Sequence, residues 1–256
     1  MNLIFNTELA AGYHSKSQIA RVLTEDWISR NMFCPQCGYS RIQHFENNRP
    51  VADFFCPNCL AQYELKSKDG KISDKVADGA YETMITRITS NENPEFFFLS
   101  YSLQDFSVKN LVMVPKHFFV PSIIEKRKPL ASTARRAGWV GCNILLNKIP
   151  IQGRISIITD GHEEEKSLVV KKANMARRLN VDSIENRGWL FDILNCVNAI
   201  DSKEFTLADI YEFENLLADM HPANKNIRPK IRQQLQMLRD RGFIDFLGNG
   251  NYVKKE

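Results

Sequence analysis

Long apolar runs are missing from this sequence. The longest, around Phe96 to Leu99 and His117 to Val120, fall far short of the roughly 20 residues a membrane-spanning helix needs. Met1 to Tyr13 has neither a basic start nor a long apolar core, so no secretory signal is expected and the chain reads as cytoplasmic. An excess of charge of one sign is absent too: 34 Lys and Arg face 30 Asp and Glu, a formal net of +4. Whole-chain charge therefore says little about partners, and only its local clustering informs. Disorder is excluded by 43% hydrophobic and 25% charged residues, the balance of an ordinary globular protein. A length of 256 residues suits two domains or one large one. Cysteine is scarce, with six in all. Cys142 and Cys196 stand alone and read as small buried hydrophobes.

The other four cysteines are paired, as Cys34-Pro-Gln-Cys37 and Cys56-Pro-Asn-Cys59, with eighteen residues between the pairs. In a reducing compartment such pairs mean metal rather than disulfides. Each Cys-x-x-Cys turn points two thiolates at one centre, and two turns complete a tetrahedron around Zn²⁺. The proline after the first cysteine of each pair helps to fix the turn. Four sulfur ligands leave no open position for water, so this zinc is expected to be structural and its binding energy to act as folding energy.

A second set of residues is interleaved with the first. Pro50-Val-Ala-Asp53 is followed after ten residues by Glu64-Leu65-Lys66, and the second cysteine pair lies between them. Asp53 closes a strand predicted from Val51 to Phe55, and Glu64 and Lys66 lie on a returning strand, Ala61 to Lys68. Residues two apart on a strand face one side, so Glu64 and Lys66 project together while Tyr63 and Leu65 pack the other way. The knuckle between the strands brings Asp53 beside Glu64. Two carboxylates, with the Leu65 carbonyl pointing to the same side, suit Mg²⁺. Such a metal acidifies a bound water and offsets phosphate charge, while a lysine orients or deprotonates the attacking water. Taken alone, alternating charges on a half-exposed strand are a solvated face. The preceding proline, the short separation and a DNA-binding segment further along favour the catalytic reading.

Ser15 to Arg30 reads as an amphipathic helix with Ile19, Val22, Leu23 and Trp27 on one face. Ser73 to Thr89 reads as a second, with Val76, Ala80, Met84 and Ile88 spaced at four. Glu95 to Tyr101, Asn110 to Val114 and Ile155 to Thr159 read as buried strands, making a mixed α/β domain. Lys126 to Gly141 carries Lys126, Arg127, Lys128, Arg135 and Arg136 with no acid among them. Together with Trp139 this is either a phosphate-contacting loop or a solvated basic one. Asp160 to Asn180, polar and charged, reads as an interdomain connection.

Beyond it the pattern changes. Glu185 to Val197 reads as a helix, and a second starts at Thr206, an N-cap with Asp209 three residues on, running through Leu217. A third begins near Asn226 and turns Ile227, Ile231, Leu235 and Leu238 inward. Its other side offers Arg228, Lys230, Arg232, Gln233, Gln236 and Arg239. Phe243 to Leu247 and Tyr252 to Lys254 flank Gly248-Asn249-Gly250-Asn251, a hairpin turn. Three helices and a terminal hairpin make a winged helix-turn-helix, used for DNA or for protein contacts. Lys225 to Arg241 holds six basic residues and one acid, which favours DNA, with basic side chains on phosphates and Arg or Gln on base edges.

Pro50…Asp53…Glu64-Leu65-Lys66 resembles the PD-(D/E)xK nuclease motif, with two residues between the proline and the aspartate. More specifically, the chain is similar end to end to the DpnI-type methyladenine-dependent restriction endonucleases. The likeness is carried by Leu23-Thr-Glu-Asp-Trp27, His44-Phe-Glu-Asn-Asn-Arg-Pro-Val-Ala-Asp53, Glu64-Leu-Lys-Ser-Lys68, Arg127-Lys-Pro-Leu130, Thr133-Ala-Arg-Arg-Ala-Gly-Trp139 and Lys230-Ile-Arg-Gln-Gln-Leu235. The expected fold is an α/β PD-(D/E)xK nuclease core over 1–181 with an inserted zinc ribbon at about 32–62, and a winged helix-turn-helix over 182–256. The resemblance implies a Mg²⁺-dependent bacterial endonuclease that cuts double-stranded GATC only when its adenine is N6-methylated. It implies no protein partner and no membrane. Asp53, Glu64 and Lys66 are the expected catalytic set, with Mg²⁺ on Asp53, Glu64 and Leu65 and Zn²⁺ on the four paired cysteines. Arg135, Arg136, Trp139, Arg228, Lys230, Arg232, Gln233 and Gln236 are the DNA-binding candidates. Two other readings stand: a zinc-ribbon, winged-helix regulator that cuts nothing, for which Glu64-x-Lys66 has no use, and a nuclease of different specificity.

Overall fold

The computed structural model describes residues 1–46, 52–90 and 92–255; Pro50 and Val51 of the motif lie outside them. Helix α1 (Lys16–Asn31) buries Leu23, Thr24, Trp27 and Ile28, a recurrence that puts one stripe of the helix against the core. There follow β1 (Gln43–His44), β2 (Phe54–Phe55), β3 (Gln62–Asp69), β4 (Lys75–Ala80), α2 (Tyr81–Thr89), β5 (Glu95–Ser102) and β6 (Ser107–Val114). Then come β7 (Ile124–Lys126), β8 (Gly141–Leu145), β9 (Ile155–Thr159), β10 (His162–Glu163) and α3 (Lys166–Arg177).

Among the described residues seven strands form one sheet, in the order β1-β2-β3-β5-β6-β9-β10. Only β3 and β5 run parallel. Parallel neighbours need a crossover, and β4 with α2 provides it. Glu95 to Tyr101 of β5 are buried without alternation, as expected of a central strand covered on both faces. A smaller antiparallel sheet, β4-β8-β7, is built on the crossover strand β4.

The C-terminal part comprises α4 (Ile184–Ala199), β11 (Glu204–Thr206), α5 (Leu207–Tyr211), α6 (Glu214–Met220), α7 (Ile227–Asp240), β12 (Ile244–Gly248) and β13 (Asn251–Lys254). This is the expected helix-turn-helix with a wing. The wing turn has positive φ at Asn249 and Gly250, flanked by the Gly248–Asn251 pair, a two-residue connection whose twist suits a hairpin. Helix α4 also packs back on the first part: Phe191 stacks on Phe118 at 4.6 Å, and the Gln152 and Asn198 amides exchange hydrogen bonds at 3.0 Å. Among the described residues no helix is long and apolar enough to cross a membrane.

Three expectations are corrected. Ser73 to Thr89 is not one helix, because its first part is strand β4. A spacing of four fits the two-residue period of a strand as well as a helical turn, and exposure alternates along Lys75–Ala80. Asp160 to Asn180 is not a plain connection, since α3 packs on β9 and buries Val169, Ala173 and Ala176, a sparse helical stripe hidden among charges. The helix from Thr206 has the expected capping box with Asp209 but is split into α5 and α6. Phe213 N–H bonds to the Ile210 carbonyl three residues back, and such a tightened turn redirects the chain.

Candidate active site and metal centre

The four paired cysteines converge. Their sulfurs all lie within 4.8 Å of one another, with Cys34 to Cys59 at 3.5 Å and Cys37 to Cys56 at 3.6 Å. A Zn–S bond of about 2.3 Å gives a tetrahedron with edges near 3.8 Å, so the donor set fits Zn²⁺ in type, number and spacing. The two turns are built alike. Gly38 N–H bonds to the Cys34 carbonyl at 2.8 Å and Leu60 N–H to that of Cys56 at 2.9 Å. The residue after each second cysteine has positive φ, 75° at Gly38 and 61° at Leu60. Leu60 carries a side chain there and is exposed, a conformation that costs a non-glycine residue about 1–2 kcal/mol. Leu60→Gly is therefore expected to keep or raise the melting temperature, despite the greater freedom glycine has when unfolded. A clear loss in thermal melts would show that Leu60 serves a contact instead.

The ribbon is tied to the strand of the charged set. Tyr63 on β3 hydrogen-bonds through its hydroxyl to Cys34 Sγ at 3.0 Å and stacks its ring on Phe97 of β5 at 4.7 Å. Cys56 follows directly on β2, which pairs Phe54 with Tyr63. One residue beyond that pair, Glu64 leaves β3 on the opposite face.

Asp53 immediately precedes β2. Its N–H donates to the Tyr63 carbonyl at 2.9 Å, and its Oδ2 accepts the Leu65 N–H at 2.7 Å. The N–H and C=O of one strand residue leave on the same edge, so the Leu65 carbonyl faces the open edge where Asp53 sits. Glu64 Oε1 meets Lys66 Nζ at 2.6 Å and its Oε2 meets Arg87 Nη2 at 2.7 Å. Lys66 also contacts Asp78 of β4. Asp53, Glu64, Leu65 and Lys66 share a cavity of about 450 Å³, with Arg21, Thr24, Glu25 and Arg87 on its walls. The donors at the open edge, two carboxylates and a carbonyl, are oxygen ligands of the kind Mg²⁺ takes.

Burial pushes the Asp53 carboxyl above its ordinary value; the Leu65 N–H opposes this, and Glu64 adds to it. Burial also raises Glu25, which lies 3.3 Å from His44. For Lys66 burial acts the other way, but Glu64 and Asp78 outweigh it and hold the ammonium above its usual range. A raised carboxyl pKa means the native state binds the proton more tightly than the unfolded chain. The stability linked to Asp53 is thus present below the ordinary pKa and lost as pH rises through the raised one. Asp53→Asn is expected to raise the melting temperature in Mg²⁺-free buffer above about pH 7, with the gain fading towards about pH 4. Equal melting of the two proteins at neutral pH would contradict this.

The DNA-binding candidates form two other groups, neither of which lines the cavity. Arg135 and Arg136 are exposed on the loop between β7 and β8. Trp139 is half-buried there, with the Arg136 guanidinium 4.6 Å from its ring centre. Its ring lies so close over Gly141 that a Cβ at that position would sit 2.8 Å from it. On α7, Arg232, Gln233 and Gln236 are exposed, with Arg232 bonded to the Tyr211 hydroxyl at 2.7 Å. Arg228 bonds to Glu214 at 2.7 Å and lies over the Tyr211 ring. Lys230 differs from the rest: it is half-buried and reaches back to Asn186 on α4 at 3.0 Å.

The sequence reading missed Arg87 and Asp78. Asp78 was hidden by the misread helix; nothing in the spacing of Arg87 points to Glu64.

Two family descriptions match the chain. DpnI, the Dam-replacing family, covers residues 1–182, and DpnI_C, the Dam-replacing HTH domain, covers residues 185–254.

Proposed function

The chain belongs to the DpnI, or Dam-replacing, family, and on that premise we propose that it is a restriction endonuclease hydrolysing double-stranded DNA at N6-methyladenine-containing GATC. In this reading residues 1–181 are the nuclease domain and 182–256 the winged-helix DNA-binding domain, at work in the bacterial cytoplasm. The observation that carries it is the open edge of β3, where Asp53, Glu64, the Leu65 carbonyl and Lys66 meet in one cavity. Mg²⁺ held by Asp53, Glu64 and the Leu65 carbonyl would acidify a water and offset charge on the phosphate. Lys66 orients the attacking water and faces the scissile phosphate with its positive charge. The zinc ribbon is structural, fixing the hairpin that brings Asp53 to Leu65.

Arg135 and Arg136 grip phosphates, and the open side of α7 enters a major groove, Arg228 on phosphates and Arg232, Gln233 and Gln236 on bases. An N6-methyl group offers a small apolar surface in that groove, worth on the order of 1 kcal/mol to a matching apolar contact. Trp139 is the candidate reader in the nuclease domain. Trp139→Ala is expected to lose discrimination between methylated and unmethylated GATC more than it loses melting temperature. A variant that melts as wild type and keeps full selectivity rules Trp139 out.

The reading is tested on a labelled duplex with one methylated GATC. Adding Mg²⁺ to the bound complex should cut both strands, and omitting it should leave them intact. A duplex bound but uncut in both conditions would point to a regulator.

A further inference from the structure

We propose that Asp78 is a positioning residue for Lys66, holding its ammonium in place once Glu64 is engaged by metal. This rests on the reading of Lys66 as catalytic. Lys66 lies between two carboxylates, Glu64 on its own strand and Asp78 on β4. The two partners are not equivalent. Glu64 belongs to the metal-binding edge and also meets Arg87, so its oxygens are shared among several cations. Asp78 does not line the cavity of the catalytic set, and its side chain is only 8% exposed. Its carboxylate therefore stays with Lys66 whatever Glu64 binds, and it fixes the end of a long side chain with many rotamers.

Asp78 also sits where the reading loop joins the fold. It pairs with Cys142 on β8, and Ala80 pairs with Gly141. The Tyr81 N–H bonds to the Val140 carbonyl at 3.1 Å, one residue after Trp139. β4, whose Asp78 meets Lys66, is thus also the strand that pairs with the base of the loop carrying Arg135, Arg136 and Trp139.

The test uses full-length protein with Mg²⁺ and a duplex carrying one methylated GATC. Asp78→Asn, nearly the same shape without the charge, is expected to lower kcat about 100-fold, the scale of a misplaced catalytic group, with KM unchanged. Asp78→Glu keeps the charge on a longer arm and should fall between it and wild type. A folded Asp78→Asn enzyme with wild-type kcat overturns the proposal, as does a loss confined to KM. If Asp78→Asn does not fold, Asp78→Glu decides, since a wild-type kcat with the carboxylate displaced overturns it equally. A cleavage-independent readout separates this from the functional reading. Acetic anhydride should label Lys66 faster in Asp78→Asn than in wild type, while exposed Lys68 labels alike in both. If wild type fails to cut, or Lys66→Ala cuts normally, the functional reading fails, and the labelling still decides whether Asp78 holds Lys66. Equal Lys66 labelling overturns that hold.

Discussion

Cys56→Ser is expected to abolish zinc retention, folding and cleavage together. Zinc in small ribbons contributes roughly 10–16 kcal/mol, as much as the whole net stability of a typical domain, about 5–15 kcal/mol. The loss would not stay local. Cys56 is buried and follows directly on β2, and β2 carries Asp53 at its entrance. Cys34 on the other turn meets the Tyr63 hydroxyl, so one metal on the four sulfurs would hold both sides of the hairpin. Metal analysis, thermal melting and cleavage of the same preparations check this. Active protein free of zinc, or Cys56→Ser that melts and cuts as wild type, would remove the structural role of the cluster.

Lys66→Ala is expected to lower the cleavage rate by about 10²–10⁴-fold, the usual range for loss of a positioned proton-transfer group, and Asp53→Ala and Glu64→Ala should remove cleavage altogether. Specific DNA binding should survive in all three, because the proposed DNA contacts lie elsewhere, on the α7 face and the loop of Arg135, Arg136 and Trp139. The carboxylate variants should also bind Mg²⁺ more weakly, which calorimetric titration of the metal reads without cleavage. Single-turnover cleavage and gel-shift affinity on one duplex separate the two effects. A Lys66→Ala protein cutting at the wild-type rate would show that the largely buried ion pairs of Lys66 are structural and that it takes no part in cleavage.

The cluster of chemistry was legible because it is local. Two Cys-x-x-Cys turns state their own geometry, and Glu64 and Lys66 two apart on a strand must share a face. The terminal helix-turn-helix was legible for a similar reason: Ile227, Ile231, Leu235 and Leu238 repeat at helical spacing and are all buried. What was lost depended on tertiary pairing. Val76 and Ala80, four apart, fit a strand as well as a helix, so β4 was misread and Asp78 with it. Arg87 reaches Glu64 across 23 residues of sequence, and no periodicity encodes that. Helix α3 hides Val169, Ala173 and Ala176 under a charged surface, so its composition resembles that of a connection. Lys230 was grouped with the open side of α7, yet it turns to α4, where Asn186 receives it.

The most direct test of the central claim compares one plasmid prepared from an adenine-methylating host and from a host lacking that methylation. Each is incubated with the purified protein and Mg²⁺ and resolved on a gel. The expected result is complete cutting of the methylated plasmid at its GATC sites and an intact unmethylated one. A methylated plasmid left whole, or both plasmids cut alike, would contradict a methyl-directed endonuclease.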